Sequence, residues 1–299
     1  MKILITGGAG FIGSHLADKL IKAGHRMVVI DNLSTGRKEN LNPKAKFYEI
    51  DIGSSKISQI FKKEKPEAVF HYAAQVNVRK SVESPIKDAK INILGALNIL
   101  ESSQKYKVKK IIFASTVGVY GETNIIPTPE TYFEQPLSPY GIAKLAVEKY
   151  LNYYYKVFEL PFVSLRLANV YGPRQNNKGE AGVVAVFYNK LLAGEQPIIN
   201  GNGRQTRDYV FVDDVVEANL LALQKNKVGI FNVGAGKETS VNEIFQKIKK
   251  AIKSNLKATY GPAKKGDLKR SRLDYSKIKK QLGWQPKYSL DEGLKKTID

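Results

Sequence analysis

The chain has 299 residues, 42% of them hydrophobic, which is enough to bury a core as one large α/β domain or as two modest ones. It has no cysteine, which excludes disulfides and thiolate chemistry, and 48 Lys and Arg against 28 Asp and Glu leave a net charge of +20. No apolar run approaches the ~20 residues a membrane helix needs, and the start lacks the basic and apolar regions of a signal peptide, so a cytoplasmic protein with no membrane partner is expected.

The lysines are scattered at helical spacings, as at Lys247, Lys249, Lys250, Lys253 and Lys257, without an arginine block or interleaved aromatics. That spread reads as a solvated surface, so no specific nucleic-acid partner is expected. A field of this sign would still draw in a small anionic substrate.

Residues 2–5 open the chain as an apolar strand. Thr6-Gly-Gly-Ala-Gly-Phe-Ile-Gly13 follows, and a helical pattern covers 12–23. Glycines here let the backbone approach a pyrophosphate, and the helix offers unpaired N–H groups at its positive dipole end. Such a turn is a weak signal on its own. A second strand, 26–30, ends at Asp31, where a carboxylate can accept from an adenosine ribose and would repel a 2′-phosphate. NAD is therefore expected over NADP, with Arg37 as the one counter-signal. A third strand, 46–49, closes on Asp51-Ile52, where an adenine would lie, and a fourth covers 68–71.

A helix over 91–105 and a strand over 110–114 come next. Ser115 and Thr116 end that strand, where open parallel sheets gather ligands. A hydroxyl there can bond an alcohol being oxidised and relay its proton, or can cap a loop. Tyr140 and Lys144 share one face of a helix. An ammonium beside a phenol lowers its pKa from ~10 towards the range of a base, although chance also places such pairs on amphipathic helices. Further strands are expected at 161–167 and 208–212, a helix at 182–193 amid loops rich in Gly, Pro and Asn, and a helix at 241–254. Alternating apolar strands and amphipathic stretches predict a parallel sheet covered on both faces. His15, His25 and His71 lack ligand spacing, so no metal is expected.

To these motifs are added Asp31-Asn-Leu-Ser-Thr-Gly36, His71-Tyr-Ala-Ala-Gln75, Ser115-Thr-Val-Gly-Val-Tyr-Gly121, Ser138-Pro-Tyr-Gly-Ile-Ala-Lys144, Arg166-Leu-Ala-Asn-Val-Tyr-Gly-Pro-Arg174, Arg207-Asp-Tyr-Val-Phe-Val-Asp213 and Leu282-Gly-Trp-Gln-Pro286. With them the chain resembles, over essentially its full length, the extended short-chain dehydrogenases/reductases, and within that group the UDP-glucose 4-epimerases. The resemblance implies an α/β fold: a Rossmann doubly wound parallel sheet, 1–168 with 208–233, and a smaller, discontinuous C-terminal substrate domain, 169–207 with 234–299. It also implies a homodimer, and a last helix that relatives continue beyond Asp299.

By the same resemblance the reaction is a redox-neutral C4 epimerisation of a UDP-hexose, UDP-glucose/UDP-galactose, through a 4-keto intermediate with tightly held NAD. Tyr140 is its base, Lys144 its electrostatic partner and a ribose ligand, and Thr116 the hydroxyl partner. The implied NAD site comprises Gly7, Gly10, Phe11, Ile12, Asp31, Asn32, Leu33, Ser34, Thr35, Gly36, Asp51, Ile52, Ala73, Ala74, Gln75, Asn92, Ser115, Tyr140, Lys144 and Val170. The implied substrate site comprises Thr116, Tyr140, Asn169, Val184, Ile199, Asn200, Arg207, Lys264, Asp267 and Ser271. Arg207 clamps the diphosphate, and Asp267 accepts from the uridine ribose. Lys264 stands where the family usually has arginine, keeping the charge and losing the bidentate fork. Related dehydratases carry a carboxylate just after the position of Thr116; Val117-Gly118 stands here, which argues against elimination. Ser271 matches the position beside the sugar's 2-substituent, where a small residue leaves room for an N-acetyl group, so UDP-GlcNAc/UDP-GalNAc interconversion is a further expectation. The rival readings are another nucleotide-sugar epimerase, such as a UDP-glucuronate 4-epimerase, and a non-catalytic NAD or nucleic-acid binding module.

Overall fold

The computed structural model describes residues 1–175, 182–263 and 268–298. Five apolar strands come first: β1 (Lys2–Thr6), β2 (Arg26–Asp31), β3 (Lys46–Glu49), β4 (Ala68–His71) and β5 (Lys110–Thr116). Helices α1 (Phe11–Lys22) and α2 (Ile57–Glu64) separate the early strands. Between β4 and β5 run α3 (Val78–Glu83), α4 (Pro85–Ala89), a π-helical turn over Lys90–Leu94, and α5 (Gly95–Lys105). Then follow α6 (Pro139–Phe158), β6 (Phe162–Leu167), β7 (Asn169–Tyr171), α7 (Val183–Leu192), β8 (Ile198–Asn200), β9 (Thr206–Arg207) and β10 (Tyr209–Phe211). The rest is α8 (Val212–Gln224), β11 (Gly229–Val233), β12 (Thr239–Ser240), α9 (Val241–Ala251), β13 (Thr259–Gly261), α10 (Ser276–Leu282) and α11 (Leu290–Ile298).

Seven strands form one parallel sheet in the order β11-β6-β5-β4-β1-β2-β3. Successive side chains of a strand point to opposite faces, and both faces are covered. Ile3 and Ile5 of β1, Ala68 and Phe70 of β4 and Ile112 of β5 pack with Leu16 and Leu20 of α1 and Val215 of α8. Leu4, Val69, Ile111 and Phe113 face the other way, against Phe61 of α2, Ile99 of α5 and Val147 and Leu151 of α6. A third cluster joins Phe187 of α7, Phe211 of β10, Ile244 and Ile248 of α9 and Leu294 of α11. Leu273, Ile278, Leu282 and Trp284, late in the chain, pack with the first cluster beneath the sheet. Among the described residues no helix is long and apolar enough to cross a membrane.

Three elements differ from expectation, and each difference comes from pairing between segments distant in the chain. β5 runs on through Thr116, because Ser115 and Thr116 still pair with Arg166 and Leu167 of β6. Residues 209–211 pair with β7 in a separate two-stranded sheet. The seventh strand of the main sheet is instead β11, which begins at a glycine with φ +135° and carries a polar Asn232 that is 0% exposed. That side chain is satisfied: it accepts from the Tyr120 hydroxyl at 2.7 Å and donates to the carbonyls of Thr128 and Asp274 at 2.9 and 3.1 Å.

Candidate functional site

The C-terminal ends of the parallel strands meet along one edge of the sheet, where ligands of open α/β sheets bind. At the end of β1 the chain turns through Gly7 (φ +74°), and a Cβ there would stand 2.6 Å from the backbone nitrogen of Ala73. A Cβ on Gly13 would stand 2.2 Å from the carbonyl oxygen of Gly7. Both glycines are therefore required by close backbone approach, and α1 begins with no side-chain cap and no acidic residue in its first turn. Its N-terminal N–H groups and dipole are left for an anion.

Asp31, at the end of β2, is 7% exposed. Its carboxylate accepts from the backbone nitrogens of Ala9 at 3.0 Å and Leu33 at 2.8 Å. Burial raises its pKa, and those two hydrogen bonds oppose the rise. Each oxygen takes one of these donors, and a carboxylate oxygen has room for a second. Asn32 donates to Asp51 at 2.7 Å, which ties the ends of β2 and β3 together. Leu33, Ser34, Thr35 and Gly36 form the loop that follows, with Gly36 against the Asp31 carboxylate.

At the other end, Ser138 caps α6 by accepting from the Gly141 nitrogen at 3.1 Å, and Pro139 opens its first turn. This sets Tyr140 and Lys144 one turn apart beside the end of β5. Tyr140 is half-buried, whereas Lys144 is 4% exposed. The Lys144 ammonium donates to the Ala114 carbonyl at 2.7 Å, and lies 4.7 Å from the Phe113 ring centre and 5.8 Å from that of Tyr140. Burial pulls its pKa down to about 8, against the opposing charges of Asp88 and Glu148. Thr116, half-buried, accepts from the Gly118 nitrogen at 3.1 Å. The Ser115 hydroxyl is buried without a hydrogen-bond partner among the described residues. His71 stacks on Phe113 and pairs with the Thr6 hydroxyl at 2.7 Å; burial, with Lys144 nearby, lowers its pKa to about 3, so it stays neutral.

The π turn at Lys90–Leu94 carries Asn92 inward, 4% exposed. Asn92 exchanges two hydrogen bonds with the Gln75 backbone, 2.8 Å to the nitrogen and 2.9 Å to the carbonyl. It thereby holds the loop of Ala73, Ala74 and Gln75 after β4. Asp88 beneath it was not singled out from the sequence; the signal was its spacing of one helical turn before Asn92.

Of the expected substrate residues, Asn169 and Val170 begin β7 and stand half-buried. Arg207, in β9, donates from Nη1 to the carbonyls of Thr206 at 2.8 Å and Leu268 at 2.7 Å. Asn200 ends β8, its carbonyl accepting from Gln205 at 3.0 Å. Val184 and Ile199 pack into the third core cluster, 2% and 1% exposed, and Ser271 is 6% exposed. Lys264 and Asp267 lie outside the described residues.

Residues 3–234 match the NAD dependent epimerase/dehydratase family. The chain belongs to that family. It is 52% identical, with a TM-score of 0.98, to the crystal structure of a UDP-glucose 4-epimerase with UDP-glucose from Thermotoga maritima, over 100% of this chain and 97% of that one. The Thermus thermophilus UDP-glucose 4-epimerase in complex with NAD is 41% identical, with a TM-score of 0.96, over 100% of this chain and 98% of that one. A Mycolicibacterium smegmatis protein named UDP-glucose 4-epimerase is 44% identical over 100% of this chain and 98% of its own length.

A dinucleotide fits what this member of the NAD dependent epimerase/dehydratase family presents. Its glycine turn is a cradle that a Cβ at Gly7 or Gly13 would fill, and the uncapped end of α1 suits a pyrophosphate. Asp31 presents an acceptor to a ribose, and the Ser115 hydroxyl and Lys144 ammonium offer donors at the far end of the same edge.

Proposed function

We propose that the protein interconverts UDP-galactose and UDP-glucose by epimerisation at C4, without net oxidation, using NAD that it retains. The observation that carries this reading is the Tyr140–Lys144 pair: a half-buried phenol beside a buried ammonium, at the end of β5 where Ser115 and Thr116 stand. NAD, when bound, supplies the acceptor and donor of the hydride at C4. Tyr140 takes the proton from the 4-hydroxyl and, once the 4-keto sugar has turned over in the site, returns it to the C4 oxygen. Lys144 favours the phenolate and binds the nicotinamide ribose, and Thr116 bonds the reacting oxygen. Asn169 and Arg207 hold the nucleotide sugar, the guanidinium against its diphosphate. Val117 and Gly118 carry no carboxylate, so no acid or base for elimination stands next to Thr116.

The same reading assigns residues 169–207 and 234–299 to the substrate unit and the remainder to the NAD unit. It also assigns a homodimer in the cytoplasm. Ile86 and Leu94, 73% and 57% exposed, stand on helices that contact α6, where Ile142 and Val157 are 53% and 55% exposed, a face that a second copy would cover. The test is purified protein given UDP-galactose with no added cofactor. UDP-glucose as product, from a protein sedimenting as a dimer, is expected. Turnover of UDP-GlcNAc alone, or of UDP-glucuronate alone, would move the substrate assignment; sedimentation as a monomer would remove the dimer.

A further inference from the structure

We propose that Asp88 is a positioning residue for this chemistry, holding Lys144 as a cation and, through it, Tyr140 as a base; the inference rests on the function proposed above. Asp88 lies on α4 and is 1% exposed. Its Oδ1 accepts from two neutral amides, Gln75 Nε2 and Asn92 Nδ2, both at 2.9 Å. Its Oδ2 is buried without a hydrogen-bond partner among the described residues. Asp88 forms no ion pair among the described residues, so this is a buried carboxylate whose charge no contacting cation offsets.

Lys144 is the matching case. It too is buried and in no ion pair among the described residues, its one hydrogen bond going to the Ala114 carbonyl. Around the ammonium stand the Ala114 carbonyl and Phe113 from β5 and Tyr140 from α6; His71 of β4 stacks on Phe113, Glu148 is one turn further along α6, and α4, which carries Asp88, packs against α6. His71 is neutral. Glu148 is already spent on Arg166, at 2.6 Å, in a contact between two side chains that are each 0% exposed. Asp88 is therefore the anion left to compensate the ammonium. A buried charge without compensation sheds or takes up a proton, and interactions at low dielectric reach beyond contact distance. Asp88 thus joins the cofactor-edge amides of Gln75 and Asn92 to the catalytic pair.

The sign follows from the roles. Lys144 assists as an ammonium, so activity falls above its pKa. Removing the Asp88 charge lowers that pKa and moves the alkaline limb to lower pH. The test uses the holoenzyme with UDP-galactose and compares kcat/KM profiles of the wild type, Asp88→Asn and Asp88→Glu. Asp88→Asn is expected to fold and to keep its NAD, with the alkaline limb about one pH unit lower; Asp88→Glu keeps the charge and the limb. An unmoved limb in a folded Asp88→Asn, with only the amplitude reduced, would overturn the assignment. So would failure of both Asp88→Asn and Asp88→Ser to fold, which would make Asp88 a scaffold carboxylate. NMR titration of lysine labelled at Cε reads the same shift without substrate. An inactive wild type would then count against the proposed function alone.

Discussion

Tyr140→Phe is expected to lower kcat by about 10²–10⁴-fold, the range for losing a positioned acid/base group, with little change in KM or in bound NAD. The substitution removes one hydroxyl and keeps the ring that lies 5.8 Å from the Lys144 ammonium. Lys144 retains its bond to the Ala114 carbonyl and its contact with Phe113, so the buried cation does not collapse. A loss confined to kcat marks an interaction made in the transition state. Initial rates with UDP-galactose, alongside the absorbance of retained cofactor, check it. A kcat within a few-fold of wild type would take the base role away from Tyr140.

The second large effect is on stability. Arg166→Met is expected to destabilise the fold by about 3–5 kcal/mol, the cost of removing one partner of a buried ion pair. Arg166 is 0% exposed and donates to Glu148 from Nε at 3.1 Å and from Nη2 at 2.6 Å, and to Glu134 from Nη2 at 2.7 Å. Its guanidinium also lies 4.7 Å from the centre of the Tyr120 ring, whose hydroxyl bonds Asn232 of β11. Without it, the buried Glu148 retains, among the described residues, only the Ser164 hydroxyl, at 3.0 Å. Denaturant unfolding measures the difference. In Arg166→Met with Glu148→Gln much of the loss returns, because the penalty lies in the orphaned carboxylate. Unfolding of the single variant within 1 kcal/mol of wild type would contradict this account.

The nucleotide half was legible because its signals are local. Strands buried on both faces read as apolar runs, and Gly7, Gly13 and Asp31 sit at spacings that the backbone itself imposes. Tyr140 and Lys144 were legible as one face of a helix; its Ser138 cap and Pro139 start were seen in the structure. What sequence periodicity could not show is long-range. β11 was missed because Asn232 looks unlike a buried strand residue until Tyr120, Thr128 and Asp274 surround it. Asp88 was missed because its burial arises from Gln75 and from α6 packing on α4, and its spacing one turn before Asn92 was its single local mark. The pairing of 209–211 with β7 rather than with the main sheet likewise depends on the crossing chain and not on composition.

The proposed reaction returns the hydride removed from C4 to C4 within one active site. The most direct measurement gives the purified protein UDP-galactose deuterated at C4, in ordinary water, with no cofactor added. UDP-glucose that retains the deuterium at C4 is the expected product. UDP-glucose that has exchanged the deuterium for solvent hydrogen would contradict it, as would accumulation of an oxidised sugar in place of the epimer.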